Sequence, residues 1–234
     1  MTNYPVRVTA RPDAPGRWLW LVKWLLLIPH YVVLVVLWVA FVVLTVVAYL
    51  SVLFAGRFPR VVFDFNVGVL RWSWRVGYYG YWVLGTDRYP PFSLADVPDY
   101  PARLEIDGPP APKRWLPLVA WLFALPHILI IAALTSGFSR VAEDGTRFSA
   151  PGVAALAVLF AGVALLFTGR CPGGLYDLLV GAWRWYLRVA AYVALLTDRY
   201  PPFALDLGGA EPVGGPDGPP ADTPPAPAPT GGPV

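Results

Sequence analysis

Thr86-Asp87-Arg88-Tyr89-Pro90-Pro91-Phe92 returns unchanged as Thr197-Asp198-Arg199-Tyr200-Pro201-Pro202-Phe203, 111 residues further on. Seven identities in a row indicate an internal duplication, and other landmarks recur in the same order. Tyr4-Pro5-Val6-Arg7 reappears as Tyr100-Pro101-Ala102-Arg103, Arg17-Trp18 as Arg114-Trp115 and Pro29-His30 as Pro126-His127, at offsets of 96 to 97. Gly56-Arg57 reappears as Gly169-Arg170 and Asp64 as Asp177, at an offset of 113. The step between these offsets places an insertion of some sixteen residues in the second copy, around the polar stretch Ser139 to Pro151. The duplication divides the chain into a first membrane module over 1–99, a second over 100–206 and a tail over 207–234.

The solvent of these modules is read from composition. Of 234 residues 56% are apolar, mean hydropathy is +0.53 and only 14% are charged, where a soluble domain carries about a quarter. A bilayer satisfies such a surface better than water does. The formal charge of +3 hides a division: from Asp206 onward there are four acids and no Lys or Arg, so the remainder of the chain is +7. Arginines that alternate with Trp and Val runs suit membrane flanks and not the solvated basic block of a nucleic-acid binder. The single cysteine, Cys171, excludes an intramolecular disulfide and a cysteine-based metal cluster. The apolar run behind Arg7, Arg11 and Arg17 is too long for a secretory signal and is expected to stay as an anchor.

Trp18 to Ala55 spans 38 residues, about 57 Å as one helix against a hydrocarbon core of about 30 Å. Two arrangements fit, a tight hairpin of two short spans turning near Trp38, or an interfacial helix followed by one long span, broken at Pro29. In the second copy the same region is split into Trp115 to Phe138 and Gly152 to Phe167. With two crossings per copy most Arg and Lys fall on one side, which favours four spans with both termini cytoplasmic. No Gly, Asn or Ser turn marks the required bend near Trp38. A third, aromatic and charged segment follows each hairpin, Val61 to Leu84 and Leu175 to Leu196, and is expected to lie as an amphipathic helix in the headgroup region. Val6 to Ala10 and Ala102 to Ile106 alternate apolar and polar residues and can pair as a two-stranded β-ribbon. The fold expected is all-α and membrane-embedded, a tandem module of transmembrane hairpin plus interfacial helix, with a disordered Pro/Gly/Ala-rich tail.

On Lys23-Trp24-Leu25-Leu26-Leu27-Ile28-Pro29-His30-Tyr31, Phe54-Ala55-Gly56-Arg57-Phe58-Pro59, Phe63-Asp64-Phe65-Asn66-Val67-Gly68-Val69-Leu70-Arg71-Trp72 and the two Thr-Asp-Arg-Tyr-Pro-Pro-Phe strings, the chain resembles the bacterial membrane family catalogued as domain of unknown function 4389, in two tandem copies. The resemblance runs to about Leu207 and implies location and architecture, with no activity, substrate or catalytic residue to carry over. The second copy departs from it at Cys171, in place of Phe58, and at Leu179, in place of Asn66. Sixteen Arg against two Lys, with abundant Ala, Gly, Val and Pro, suit a GC-rich bacterial genome.

Asp64, Gly68, Arg71 and Arg75 stand at i, i+4, i+7 and i+11, one stripe of a helix, and Asp177, Gly181, Arg184 and Arg188 repeat it. Two arginines a turn apart can clamp an anionic lipid headgroup, with the glycine permitting close approach and the aspartate orienting a guanidinium. The plainer reading makes them snorkelling anchors neutralised by the acid. His30 and His127 each follow a proline inside an apolar run; an ionisable residue there can relay protons or bind a metal, but each stands without a second ligand at spacing in its own helix, and the imidazole can instead satisfy the carbonyl that the proline frees. Tyr89 and Tyr200 read as interfacial anchors and the Pro-Pro-Phe strings as helix stops. No phosphate loop, nucleophile elbow, zinc motif or paired intramembrane carboxylates are present. No metal or cofactor is expected. The sequence points to a non-enzymatic accessory or scaffold protein of the bacterial cytoplasmic (inner) membrane, bound to lipids and to a membrane-protein partner or a second copy. A flippase-like lipid or anion carrier is the second reading, with its arginines facing a cavity between the repeats, and a lipid-modifying enzyme the third.

Overall fold

The long apolar run contains no residue that turns a chain, and it folds as one helix. A computed structural model describes residues 4–13, 15–141 and 147–207, apart from the side chains of 138–149; the tail assigned as disordered lies outside the described residues. After a short 3-10 turn at Leu19–Leu21, helix α1 runs unbroken from Lys23 to Ala55 over 33 residues, about 50 Å. The hairpin expected near Trp38 is therefore absent from the first copy. With no Gly, Asn or Ser there, every residue around Trp38 continues the ladder of backbone bonds at less cost than a buried turn would impose. Only Pro29 interrupts it. Gly56, at φ 67, ends α1 in the left-handed conformation, and Gly169, at φ 71, ends its counterpart.

In the second copy the same path is divided by the insertion into α3 (Leu116–Thr135) and α4 (Val153–Thr168), joined through strands β3 (Phe138–Val141) and β4 (Arg147–Ala150). The start of α4 abuts the end of α3, with Gly152 against the Thr135 carbonyl. The end of α1 at Gly56 packs on the Arg114 side chain ahead of α3, and the end of α4 at Gly169 packs on Arg17 ahead of α1. The α3–α4 path thus runs through in one direction, antiparallel to α1.

Helices α2 (Arg60–Tyr79) and α5 (Gly173–Val193) return along these long elements. Trp38 Nε1 donates to Ser73 Oγ at 3.1 Å and Asn66 Nδ2 to Thr45 Oγ1 at 3.1 Å, which fixes α2 antiparallel to α1. Strands β1 (Val6–Ala10) and β2 (Ala102–Ile106), one from each module, pair antiparallel with Val8 opposite Leu104. Their inward residues Val6, Val8, Leu104 and Ile106 are buried against α2 and α5. The ribbon is as the alternation suggested. The position of α2 is not: it was expected at the surface, yet most of it, including Trp74 and Tyr78, is enclosed. The ribbon and the loop behind each Pro-Pro-Phe string cover the face that was assigned to headgroups.

The long helices turn apolar side chains outward, while a few charged ones are enclosed. Val35, Val36 and Val39 on α1 are 64%, 66% and 62% exposed, while Arg184 is fully enclosed. Helices α1 and α3 are long and apolar enough to cross a bilayer. Leu84 and Leu195, equivalent positions in the two copies, both hold left-handed backbone, at φ 57 and 56, under complete burial; the penalty of about 1–2 kcal/mol for such a conformation is sustained by packing.

The two copies lock through Trp82 and Trp183, whose rings stack at 3.8 Å and 7°. Gly77 makes room for this stack, since a Cβ there would overlap the Trp82 ring. Gly77→Ala is expected to cost about 1–3 kcal/mol by overpacking and to weaken the near-ultraviolet circular dichroism of the tryptophan pair. An unchanged spectrum together with unchanged stability would show that the ring moves aside freely.

Candidate functional site

The two arginine stripes divide into an inner and an outer part. Arg71 Nε donates to Leu104 O at 2.9 Å and Arg184 Nε to Val8 O at 3.0 Å. Each arginine thus holds the central residue of the strand contributed by the other module. Arg75 donates from Nη1 to Ala95 O at 2.9 Å and from Nη2 to Ser93 O. Arg184 Nη1 donates to Asp206 O, and Arg188 Nη1 forms an ion pair with Asp206 Oδ2 at 2.5 Å and stands 5.4 Å from the Tyr4 ring centre. Arg75, Arg184 and Arg188 are buried. Burial lowers the Arg75 pKa, against the opposing pull of Tyr100 and Asp96.

The stripe glycines serve the same inner packing. Gly68 lies under Leu94 and Gly181 under the Asp206 carbonyl, equivalent loops crossing equivalent helices. The close approach inferred from sequence is present, with the chain's own loop as the approaching group.

Asp64 stays outside, with Arg60 Nε 3.9 Å from its Oδ2. Arg60, Asp64 and Arg71 line a polar cleft of about 470 Å³ closed by Phe63, Leu94 and Ile106. It runs along one side of the first half of α2. The second copy has Gly173 at the position of Arg60, and Asp177 is half-buried. The complete set of charges belongs to the first copy.

His30 and His127 occupy matching aromatic enclosures and both are fully buried. Trp72 Nε1 donates to His30 Nδ1 at 3.1 Å, and Trp185 Nε1 to His127 Nδ1 at 3.0 Å. Phe92 stacks on His30 at 4.0 Å and Phe203 on His127 at 3.9 Å. Tyr89 and Tyr200, ring centres 4.9 and 5.0 Å from these histidines, donate to Leu26 O and Phe123 O. The imidazoles therefore accept from tryptophan, where the sequence suggested that they bond a carbonyl freed by proline. The repeated seven-residue string is the lid of each enclosure as well as a helix stop.

Lys23 counted in the sequence only toward the family resemblance and had no site role there, because it stands alone in an apolar run. It is fully buried, with Nζ 2.9 Å from Asp87 Oδ1 and 2.6 Å from Thr86 O, and lies 4.6 Å from the Tyr79 ring centre. A lysine inside hydrocarbon-like sequence together with an aspartate in the repeated string was the available signal. Ala120 replaces it in the second copy. Between the modules Tyr78 and Tyr176 share a hydrogen bond of 2.8 Å, and burial raises the pKa of both.

Among the described residues no three His, Cys, Asp or Glu side chains stand close enough to hold a metal. Two apolar grooves of about 610 and 560 Å³ run between the modules and share Trp38, Ile131, Thr135 and Tyr186. None of Arg71, Arg75, Arg184 and Arg188 lines either groove.

The model of the family described as Domain of unknown function (DUF4389) matches residues 17–93 and 149–204, more than half of the chain. The chain belongs to this family. The first match runs from Arg17 to the residue after Phe92 and the second ends just after Phe203, which agrees with two tandem copies. The unmatched stretch between them contains β2, α3 and most of the insertion. No curated protein and no solved structure matches the chain.

Proposed function

We propose that this DUF4389 protein is a non-enzymatic scaffold of the bacterial inner membrane that holds an anionic lipid headgroup in its Arg60–Asp64–Arg71 cleft and presents that lipid, or its own surface, to a membrane partner. The cleft is the observation that carries the reading. Arg60 and Arg71 both line this space, which is open to the outside, and Asp64 pairs with Arg60 on its exposed side. The exposed valines of α1 support a lipid environment. The enclosure of both histidines by aromatic rings, with a tryptophan N–H donating to each, supports the non-enzymatic reading. A carrier would need the inner arginines to face the grooves between the modules, and their bonds to backbone carbonyls favour the scaffold instead.

The test is lipid retention. The protein is purified in mild detergent and its bound lipid identified by native mass spectrometry, alongside Arg60→Gln, which alters an exposed side chain and leaves the core intact. Loss of one charge-assisted contact corresponds to about a tenfold or greater fall in affinity for phosphatidylglycerol or cardiolipin, read as lower occupancy at limiting lipid. Equal anionic lipid on both proteins would remove the cleft as a headgroup site.

A further inference from the structure

The ribbon and the long helices lie on opposite sides of the α2–α5 layer. Asn66 and Ser73 face α1 through Thr45 and Trp38. Arg71, five residues after Asn66 and so about 140° around the helix, faces the ribbon through Leu104. The ribbon is also level with the middle of the helices. Val8 and Leu104 are the central residues of five-residue strands, and they are held from the middle of α5 and α2. Trp38 and Thr45, which face the same part of α2, lie near the midpoint of α1.

The outer face of this ribbon is charged. Arg7 pairs with Glu105 at 3.4 Å and Asp107 at 3.0 Å, and Arg103 with Asp96 at 2.7 Å, all of them partly exposed. Were α1 to stand across the bilayer with its middle at the midplane, these charges would enter hydrocarbon. Each such charge costs about 2.5 kcal/mol or more at that depth. The ends of α1 give a second argument. Arg17 precedes it and Arg57 and Arg60 follow it, whereas basic flanks gather on the cytoplasmic side. On the side away from α2, Val39 is 62% exposed and Val43 56%.

We infer that α1 and the α3–α4 path do not cross the bilayer: their exposed apolar side is seated among the acyl chains of one leaflet, and the ribbon and both ends of α1 return to the same aqueous side. The inference rests on the membrane reading above and gives it a topology. The chain is a one-sided wedge, and its partner surface is a lipid monolayer.

Cysteine labelling of the full chain in cell-derived vesicles tests this. In a Cys171→Ala background, Arg17→Cys and Arg57→Cys, both at exposed positions, are treated with a membrane-impermeant maleimide in right-side-out and inside-out vesicles. Both are expected to label in the same preparation, the inside-out one, and Val43→Cys only after detergent is added. Labelling of Arg17→Cys and Arg57→Cys in opposite preparations would overturn the proposal, including through an oligomer that shelters the ribbon in an aqueous interior. Should either variant fail to accumulate, Trp18→Cys and Ala55→Cys, at neighbouring exposed positions, report on the same two ends. Release of the chain by alkaline carbonate is a separate result, which would overturn the membrane reading itself.

Discussion

Arg184→Ala is expected to lower the unfolding free energy in detergent by about 3–5 kcal/mol, the range for breaking a buried, hydrogen-bonded charge. Its guanidinium is fully buried and holds Val8 O, 176 residues away, as well as Asp206 O. Hydrogen bonds from a charged donor contribute about 1.5–3 kcal/mol each, and truncation leaves the carbonyls enclosed without that donor. The loss falls on two joints at once, strand β1 and the loop after Phe203. Arg60→Ala, at an exposed position, is the matched control and should stay within about 0.5 kcal/mol of the parent. The comparison is made by chemical denaturation in one detergent, followed by tryptophan fluorescence. A cost at Arg184 no larger than at Arg60 would mean that the side chain is an anchor and not a joint.

Trp72→Ala and Trp185→Ala are each expected to cost about 3–5 kcal/mol, the range for deleting a buried indole. Each ring packs on a histidine and on the phenylalanine of the repeated string, Trp72 at 5.6 Å from Phe92 and Trp185 at 6.3 Å from Phe203. Each also donates its indole N–H in a hydrogen bond to Nδ1 of His30 or His127. Phenylalanine at either position keeps most of the volume and loses the N–H, so a smaller cost of about 1–3 kcal/mol is expected from the unpaired nitrogen. Because the enclosures match contact for contact, the two alanine variants should agree with each other within about 1 kcal/mol, inside the ordinary spread for such deletions. Thermal unfolding of the four single variants checks this, and a large cost in one copy with none in the other would show that the second enclosure has lost its structural role.

The repeat explains why these predictions come in pairs, and its departures show where the copies have separated. Lys23 and Arg60 exist only in the first copy, and the β3–β4 insertion only in the second. The buried ion pair with Asp87 and the complete charge set of the outer cleft are therefore first-copy features.

Short-range pattern and internal identity are legible without a fold. The duplication follows from the repeated Thr-Asp-Arg-Tyr-Pro-Pro-Phe string, the ribbon strands from the alternation at Val6–Ala10 and Ala102–Ile106, and the apolar helices from their composition. Family membership was legible for the same reason. The direction in which the arginines point was not. An arginine flanked by Trp on a helix has the same local sequence whether it faces a phosphate or a backbone carbonyl, and the partners of Arg184 and Arg71 come from strands 176 and 33 residues away. Tertiary structure also decided that α1 runs through Trp38 as one helix, where charge counting had favoured a hairpin. Side-by-side packing against α2 satisfies a long straight helix, and no local residue reports that neighbour. Charge on one element is read from sequence, but whether that charge meets water, lipid or protein is set by whichever distant segment covers it.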